Sequence, residues 1–233
     1  MAINILNQWM ASRKLGKKAL AILIDPDKFV VEDAFAKAYI TKIPSHTTHI
    51  FVGGSTDPLQ KTEQVVRLIK NYCTLPVLLF PGDHHQVTAM ADGILFLSLL
   101  SGRNPKYLIE EHIQAAPQLK KAAIEVIPTG YLLLDGGAKS SVARVSGTTP
   151  ILQEDIKQIV NTALAGEFMG KKCIYLEAGS GALVPVKPEI IQAVKAQLTI
   201  PIIVGGGIQS QQQLEAAYAA GADMVVMGTV FEK

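Results

Sequence analysis

Residues 173–181 read Cys173-Ile174-Tyr175-Leu176-Glu177-Ala178-Gly179-Ser180-Gly181, and this stretch decides the fold. Its first four residues are apolar or aromatic, as in a strand covered on both faces. The glycines that follow permit backbone angles and close approaches that a Cβ would forbid. One carboxylate, Glu177, stands between strand and turn. It reads either as a base in a polar pocket or as a solvated acid at a loop edge. The design recurs twice downstream. Pro201-Ile202-Ile203-Val204 leads into Gly205-Gly206-Gly207, and Met224-Val225-Val226-Met227 leads into Gly228-Thr229. Three strand ends with bare amides, each with a helix expected after it, predict a phosphate site built from N–H groups and helix N-termini.

Working outward, similar apolar runs fall at 19–24, 48–52, 76–80, 93–97, 123–127, 173–176, 201–204 and 224–227. Most are uninterrupted rather than alternating, as parallel strands buried on both faces require. Helical segments fall between them at 32–42, 58–71, 104–116, 153–169, 188–197 and 210–220, the last with Gly221 as C-cap. Only a turn or two of helix, at 86–91, fits between the third and fourth strands. Residues 1–15 read as a helix covering the bottom or flank, and the eighth strand leaves no room for a full helix after it. Eight alternating units predict a (β/α)8 barrel over residues 1–233 as one domain, with an open doubly wound sheet as the alternative. The barrel is preferred because polar residues follow nearly every strand, as they do at the C-terminal face of that fold.

Composition agrees. The chain has 233 residues and 48% hydrophobic content, enough for one large core. Its net charge of +2, with no block of like charge, argues against a nucleic-acid surface. Cys73 and Cys173 sit in no metal-ligand spacing and read as core thiols of a reducing compartment. No signal peptide and no membrane-spanning run are visible.

The first strand ends in Asp25-Pro26-Asp27-Lys28 and the second in Gly53-Gly54-Ser55-Thr56-Asp57. Asp25 and Ser55 on neighbouring strand ends are hard oxygen donors of the kind that hold Mg²⁺ beside a diphosphate. Equally, each residue, or Asp57, is placed to cap a following helix. The pair His84-His85 lacks a third ligand nearby and reads as rim histidines rather than a zinc site. Tyr131, after Pro128-Thr129-Gly130, is read as a ligand contact or as rim packing.

Taken in order, Asp25-Pro26-Asp27-Lys28, Val52-Gly53-Gly54-Ser55, Phe80-Pro81-Gly82, Leu99-Leu100-Ser101-Gly102-Arg103-Asn104-Pro105, Ile127-Pro128-Thr129-Gly130-Tyr131, Tyr175 to Gly181, Gly205-Gly206-Gly207-Ile208 and Gly228-Thr229 resemble the geranylgeranylglyceryl phosphate synthases. These are prenyltransferases of ether-lipid biosynthesis, related to the heptaprenylglyceryl phosphate synthases of bacteria. The resemblance implies a modified TIM barrel with helix 3 reduced or missing, which leaves a groove for a prenyl chain. It implies transfer of a polyprenyl group, taken as geranylgeranyl, from its diphosphate to the C3 hydroxyl of sn-glycerol 1-phosphate, with Mg²⁺. Asp25 and Ser55 become the metal ligands. Tyr175, Leu176, Glu177, Ala178, Gly179, Ser180, Gly181, Gly206, Gly207, Gly228 and Thr229 become the glycerol phosphate site, with Glu177 as the base. A homo-oligomer, dimer or hexamer, is implied, in the cytoplasm or peripherally at a membrane. The chain departs from some bacterial relatives at Leu23, where they carry a lysine. The competing functions are a sugar-phosphate isomerase or epimerase on the same barrel, and a non-catalytic phospholigand-binding barrel.

Overall fold

A computed structural model describes residues 4–228 and Phe231. Its strands are β1 (Ala19–Ile24), β2 (His49–Val52), β3 (Val77–Leu79), β4 (Gly93–Leu99), β5 (Glu125–Leu133), β6 (Cys173–Glu177), β7 (Ile202–Gly205) and β8 (Met224–Met227). They form a closed parallel barrel in sequence order, shut by the pairing of β8 with β1. The expected eight-stranded barrel is the observed fold. The helices are α1 (Ile5–Lys14), α2 (Asp33–Lys42), α3 (Thr62–Tyr72), α4 (Glu110–Ala122), α5 (Ser141–Ser146), α6 (Ile156–Phe168), α7 (Pro188–Gln197) and α8 (Gln211–Ala220). Between β3 and β4 there is no α-helix, only a 3₁₀ turn at His84–Gln86.

Each strand divides its side chains between two cores, because neighbours along a strand face opposite ways. Phe51, Phe80, Leu95, Tyr131, Tyr175 and Ile203 fill the barrel. Ile22, Ile50, Leu79, Leu132, Leu176 and Val204 face the helices. Within the barrel the Phe80 ring lies 5.2 Å from that of Tyr175 and 6.0 Å from that of Tyr131. The bottom is closed by α1, whose Ile5 and Trp9 are buried in the interior cluster. The N–H groups of Ile5 and Leu6, at the positive end of α1, donate to the Glu125 carboxylate that opens β5.

Several boundaries move for physical reasons. The turn 58–61 precedes α3, because Asp57 accepts the N–H groups of Lys61 and Thr62, both at 2.9 Å, and so sets where the helix begins. Residues 105–107 form a separate 3₁₀ turn, capped by Asn104, before α4 starts. The fifth strand begins two residues later than its apolar run, since Ala123 adopts a left-handed angle (φ 55°) that ends α4. It also continues through Pro128 to Leu133. Pro128 is tolerated because its carbonyl already accepts from Lys172 at the foot of β6. The N–H that Pro128 lacks would face the same side as that carbonyl, and pairing with β6 begins only one step later, at Thr129 with Cys173, so it has no ladder partner to lose.

Candidate active site

The C-terminal ends of the strands surround a polar mouth. From β1 comes Asp25, and from the β2 loop come Gly53, Gly54 and Ser55. A Cβ on Gly54 would stand 3.1 Å from the Asp25 carboxylate, so the two loops touch and set Ser55 beside Asp25. Tyr131, Tyr175, Glu177, Ser180, Gly181, Gly206, Gly207 and Gly228 complete the wall. Most of the residues singled out in the sequence are thus brought together. The side chains of two are placed elsewhere, since Leu176 and Ala178 pack toward the helices. Gly179 packs against Ser140 on one side and turns its N–H to Glu177 on the other. Thr229 lies outside the described residues.

Glu177 is buried, 6% exposed, so it is no solvated loop acid. Burial pushes its carboxyl up to about 7, against the pull of the Gly179 N–H, which it accepts at 2.7 Å. The Tyr175 hydroxyl lies close enough to lower it slightly further. Yet that hydroxyl makes no hydrogen bond of normal geometry, and among the described residues it is left buried without a partner. Burial and the neighbouring Glu177 hold the Tyr131 and Tyr175 phenols well above their ordinary value, so both stay neutral donors. The β7 turn makes this packing possible. A Cβ on Gly206 would fall 2.4 Å from Glu177 Oε1, and its φ of +83° favours glycine.

The described part of the expected phosphate site lies at the ends of β6 and β7. Ser210 and Gln213 cap the start of α8 in a reciprocal box, and the first helix after β6 begins only at Pro188. Among the described residues the mouth offers a phosphate the turns around Gly181 and Gly206, the latter running through Gln209 to the capped start of α8. The helix expected after Gly228-Thr229 lies outside the described residues.

An apolar groove leads away from the mouth and shares Ser55, Phe80, Tyr131 and Val142 with it. Val87, Ile94, Phe96, Leu97 and Ala115 line it where a helix after β3 would otherwise pack. His84 is not a solvated rim residue. Its N–H and its Nδ1 both meet Glu111 Oε2 of α4 at 2.8 Å and so brace the groove wall. Burial opposes the charge of Glu111, but His84 and Lys106 hold its carboxyl below the usual range. His85 is exposed. Among the described residues no group of three or more His, Cys, Asp or Glu gathers as a metal centre. Asp25 with Ser55 suits instead an ion such as Mg²⁺, which takes one or two protein oxygens and keeps phosphate and water for the rest. Among the described residues no helix is long and apolar enough to cross a membrane.

The sequence profile of the PcrB family matches residues 11–233. The chain belongs to this family. A geranylgeranylglyceryl phosphate synthase of Zunongwangia profunda is 58% identical, over 98% of this chain and 97% of that protein. The structure of (S)-3-O-geranylgeranylglyceryl phosphate synthase from Thermoplasma acidophilum in complex with sn-glycerol-1-phosphate superposes with a TM-score of 0.90 at 34% identity, over 99% of this chain and 92% of that one. The N-acetylmannosamine-6-phosphate 2-epimerase of Clostridium perfringens gives a TM-score of 0.57 at 11% identity over 91% of this chain and 87% of that one, and so shares the fold alone.

Lys28 and the α5 residues Ser141 and Val142 line the mouth without having been singled out. Lys28 had a signal, since it closes the Asp25-Pro26-Asp27-Lys28 turn. The short helix α5 had none.

Proposed function

We propose that the protein is a geranylgeranylglyceryl phosphate synthase that joins the C3 hydroxyl of sn-glycerol 1-phosphate to geranylgeranyl diphosphate. The observation that carries this reading is the junction of two environments at Glu177. A buried carboxyl held near neutrality stands in a ring of glycine turns, and an apolar groove opens from the same mouth. The turns at Ser180-Gly181 and Gly206-Gly207 fix the glycerol phosphate by its phosphate, and orientation supplies much of the rate. Ionised Glu177 takes the hydroxyl proton as the new C–O bond forms. The bond from prenyl C1 to diphosphate breaks in the same exchange, and diphosphate leaves with the electron pair. Buried apolar chain contributes roughly 0.8 kcal/mol per CH₂ in the groove. Asp25 and Ser55 are proposed to hold Mg²⁺, which when bound supplies neutralising charge to the leaving diphosphate.

A sugar-phosphate epimerase would share the barrel and glycine turns but would leave the groove without a role. The test is a radiolabelled assay with sn-glycerol 1-phosphate, Mg²⁺ and geranylgeranyl diphosphate. Butanol-extractable product that is lost with EDTA and poor with glycerol 3-phosphate is expected. No product from any prenyl diphosphate, with glycerol phosphate still bound, would overturn the proposal. We also propose a homo-oligomer, dimer or hexamer, supported by exposed Phe168 and Met169 at the end of α6. A cytoplasmic location, with or without peripheral membrane contact, is proposed with it; light scattering and fractionation decide each.

A further inference from the structure

The proposed substrates bring a phosphate monoester and a diphosphate to a mouth that already holds the carboxyl groups of Asp25 and Glu177. Among the described residues lining it, one side chain carries lasting positive charge, Lys28. Its position is set by the loop after β1. The N–H groups of Lys28 and Phe29 both donate to the Asp25 carbonyl at 3.1 Å. Phe29 is buried and packs edge-on against Phe35 at 5.0 Å and Tyr39 at 5.6 Å, which anchors the loop to α2. Thr56 donates to Asp27 at 2.9 Å and ties the same loop to the one after β2. The backbone of Lys28 is therefore fixed while its side chain is half exposed. Its Nζ stands 3.5 Å from Asp25 Oδ2, and Asp25 Oδ1 accepts the Asp27 N–H at 3.1 Å.

We propose that Lys28 binds the diphosphate of the prenyl donor and holds its oxygens as it departs. This rests on the synthase reading above. A half-exposed ion pair gains little in high dielectric, so exchanging the Asp25 carboxylate for a more highly charged diphosphate costs little. The ammonium acts here as a point charge on a flexible stem, the usual form of a lysine phosphate contact. No proton moves; the ammonium stays charged and the electron pair stays on the diphosphate.

Titration calorimetry in EDTA tests this on the full chain, with inorganic diphosphate, geranylgeranyl diphosphate and sn-glycerol 1-phosphate as probes. Lys28→Met should weaken both diphosphate ligands about tenfold or more. It should leave glycerol phosphate binding within about twofold of the original protein, and Lys28→Arg should retain most of the diphosphate affinity. The loss should persist in an Asp25→Asn background. Unchanged diphosphate binding in Lys28→Met would overturn the proposal, as would an equal loss for glycerol phosphate. Disappearance of the loss in Asp25→Asn would show that Lys28 only neutralises Asp25, which also overturns it. If the unaltered protein binds neither diphosphate ligand in EDTA but binds them with Mg²⁺, this proposal is overturned while the synthase reading stands; binding in neither condition overturns both.

Discussion

Replacing Glu177 by Gln should move activity and stability in opposite directions. The amide keeps the shape of the side chain and an oxygen for the Gly179 N–H, but it never ionises. As general base, Glu177 contributes about 10²–10⁴ in rate, and the variant should lose that. In the unaltered protein the active form is the carboxylate, with a pKa of about 7. Turnover should therefore rise about tenfold between pH 6 and pH 8, and the variant should lack that rise. Stability runs the other way. The folded carboxyl holds its proton up to about 7, whereas the unfolded one releases it near its ordinary 4.5. The folded state then binds more protons between those values, and stability falls as pH rises through that window. Above pH 7 the buried charge costs about 3 kcal/mol, which the Gln variant avoids. Its Tm should exceed that of the unaltered protein by roughly 6–12 °C at pH 8 and by much less at pH 4.5. Calorimetric scans and product assays across pH check both arms. A variant with full rate and the same pH profile would refute the assignment of the base, and equal Tm at pH 8 would refute the buried-charge argument.

His49, inside the foot of the barrel, has its pKa lowered by burial to about 4. Because the unfolded chain takes up that proton at higher pH, stability should be lost as pH falls from about 6.5 to about 4; His49→Asn should flatten this slope in Tm against pH. Gly206→Ala drives a Cβ into Glu177 and should weaken glycerol 1-phosphate binding at least about tenfold, measured by calorimetry. Val87→Trp fills a partly open side of the groove, so KM for geranylgeranyl diphosphate should rise more than KM for a ten-carbon donor in steady-state assays.

The barrel was legible because its strands are buried on both faces, so apolar runs such as Met224 to Met227 need no periodicity to be recognised. The site was legible for a related reason. In this fold the residue that ends a strand faces the mouth; Asp25 and Glu177 each close a run of apolar residues, and Ser55 stands two glycines beyond another. What the sequence hid depends on distance along the chain. Pro128 reads locally as the end of a strand, and only its place below the start of β6 explains why the strand continues. The bridge from His84 to Glu111 joins residues 27 apart, and no local pattern signals it.

The eight strands are not stitched equally. Between β4 and β5 the pairing runs from Gly93 with Glu125 to Leu99 with Tyr131. Between β3 and β4 it consists of Leu78 with Gly93 and Leu79 with Ile94, where no full helix clamps the outside. The wall thus has a seam, and the groove lies along it. Two paired residues also join β7 to β8, but there α8 covers the outside, so the edge of the cylinder that is both lightly stitched and uncovered is the one beside which an oily guest of varying girth would lie.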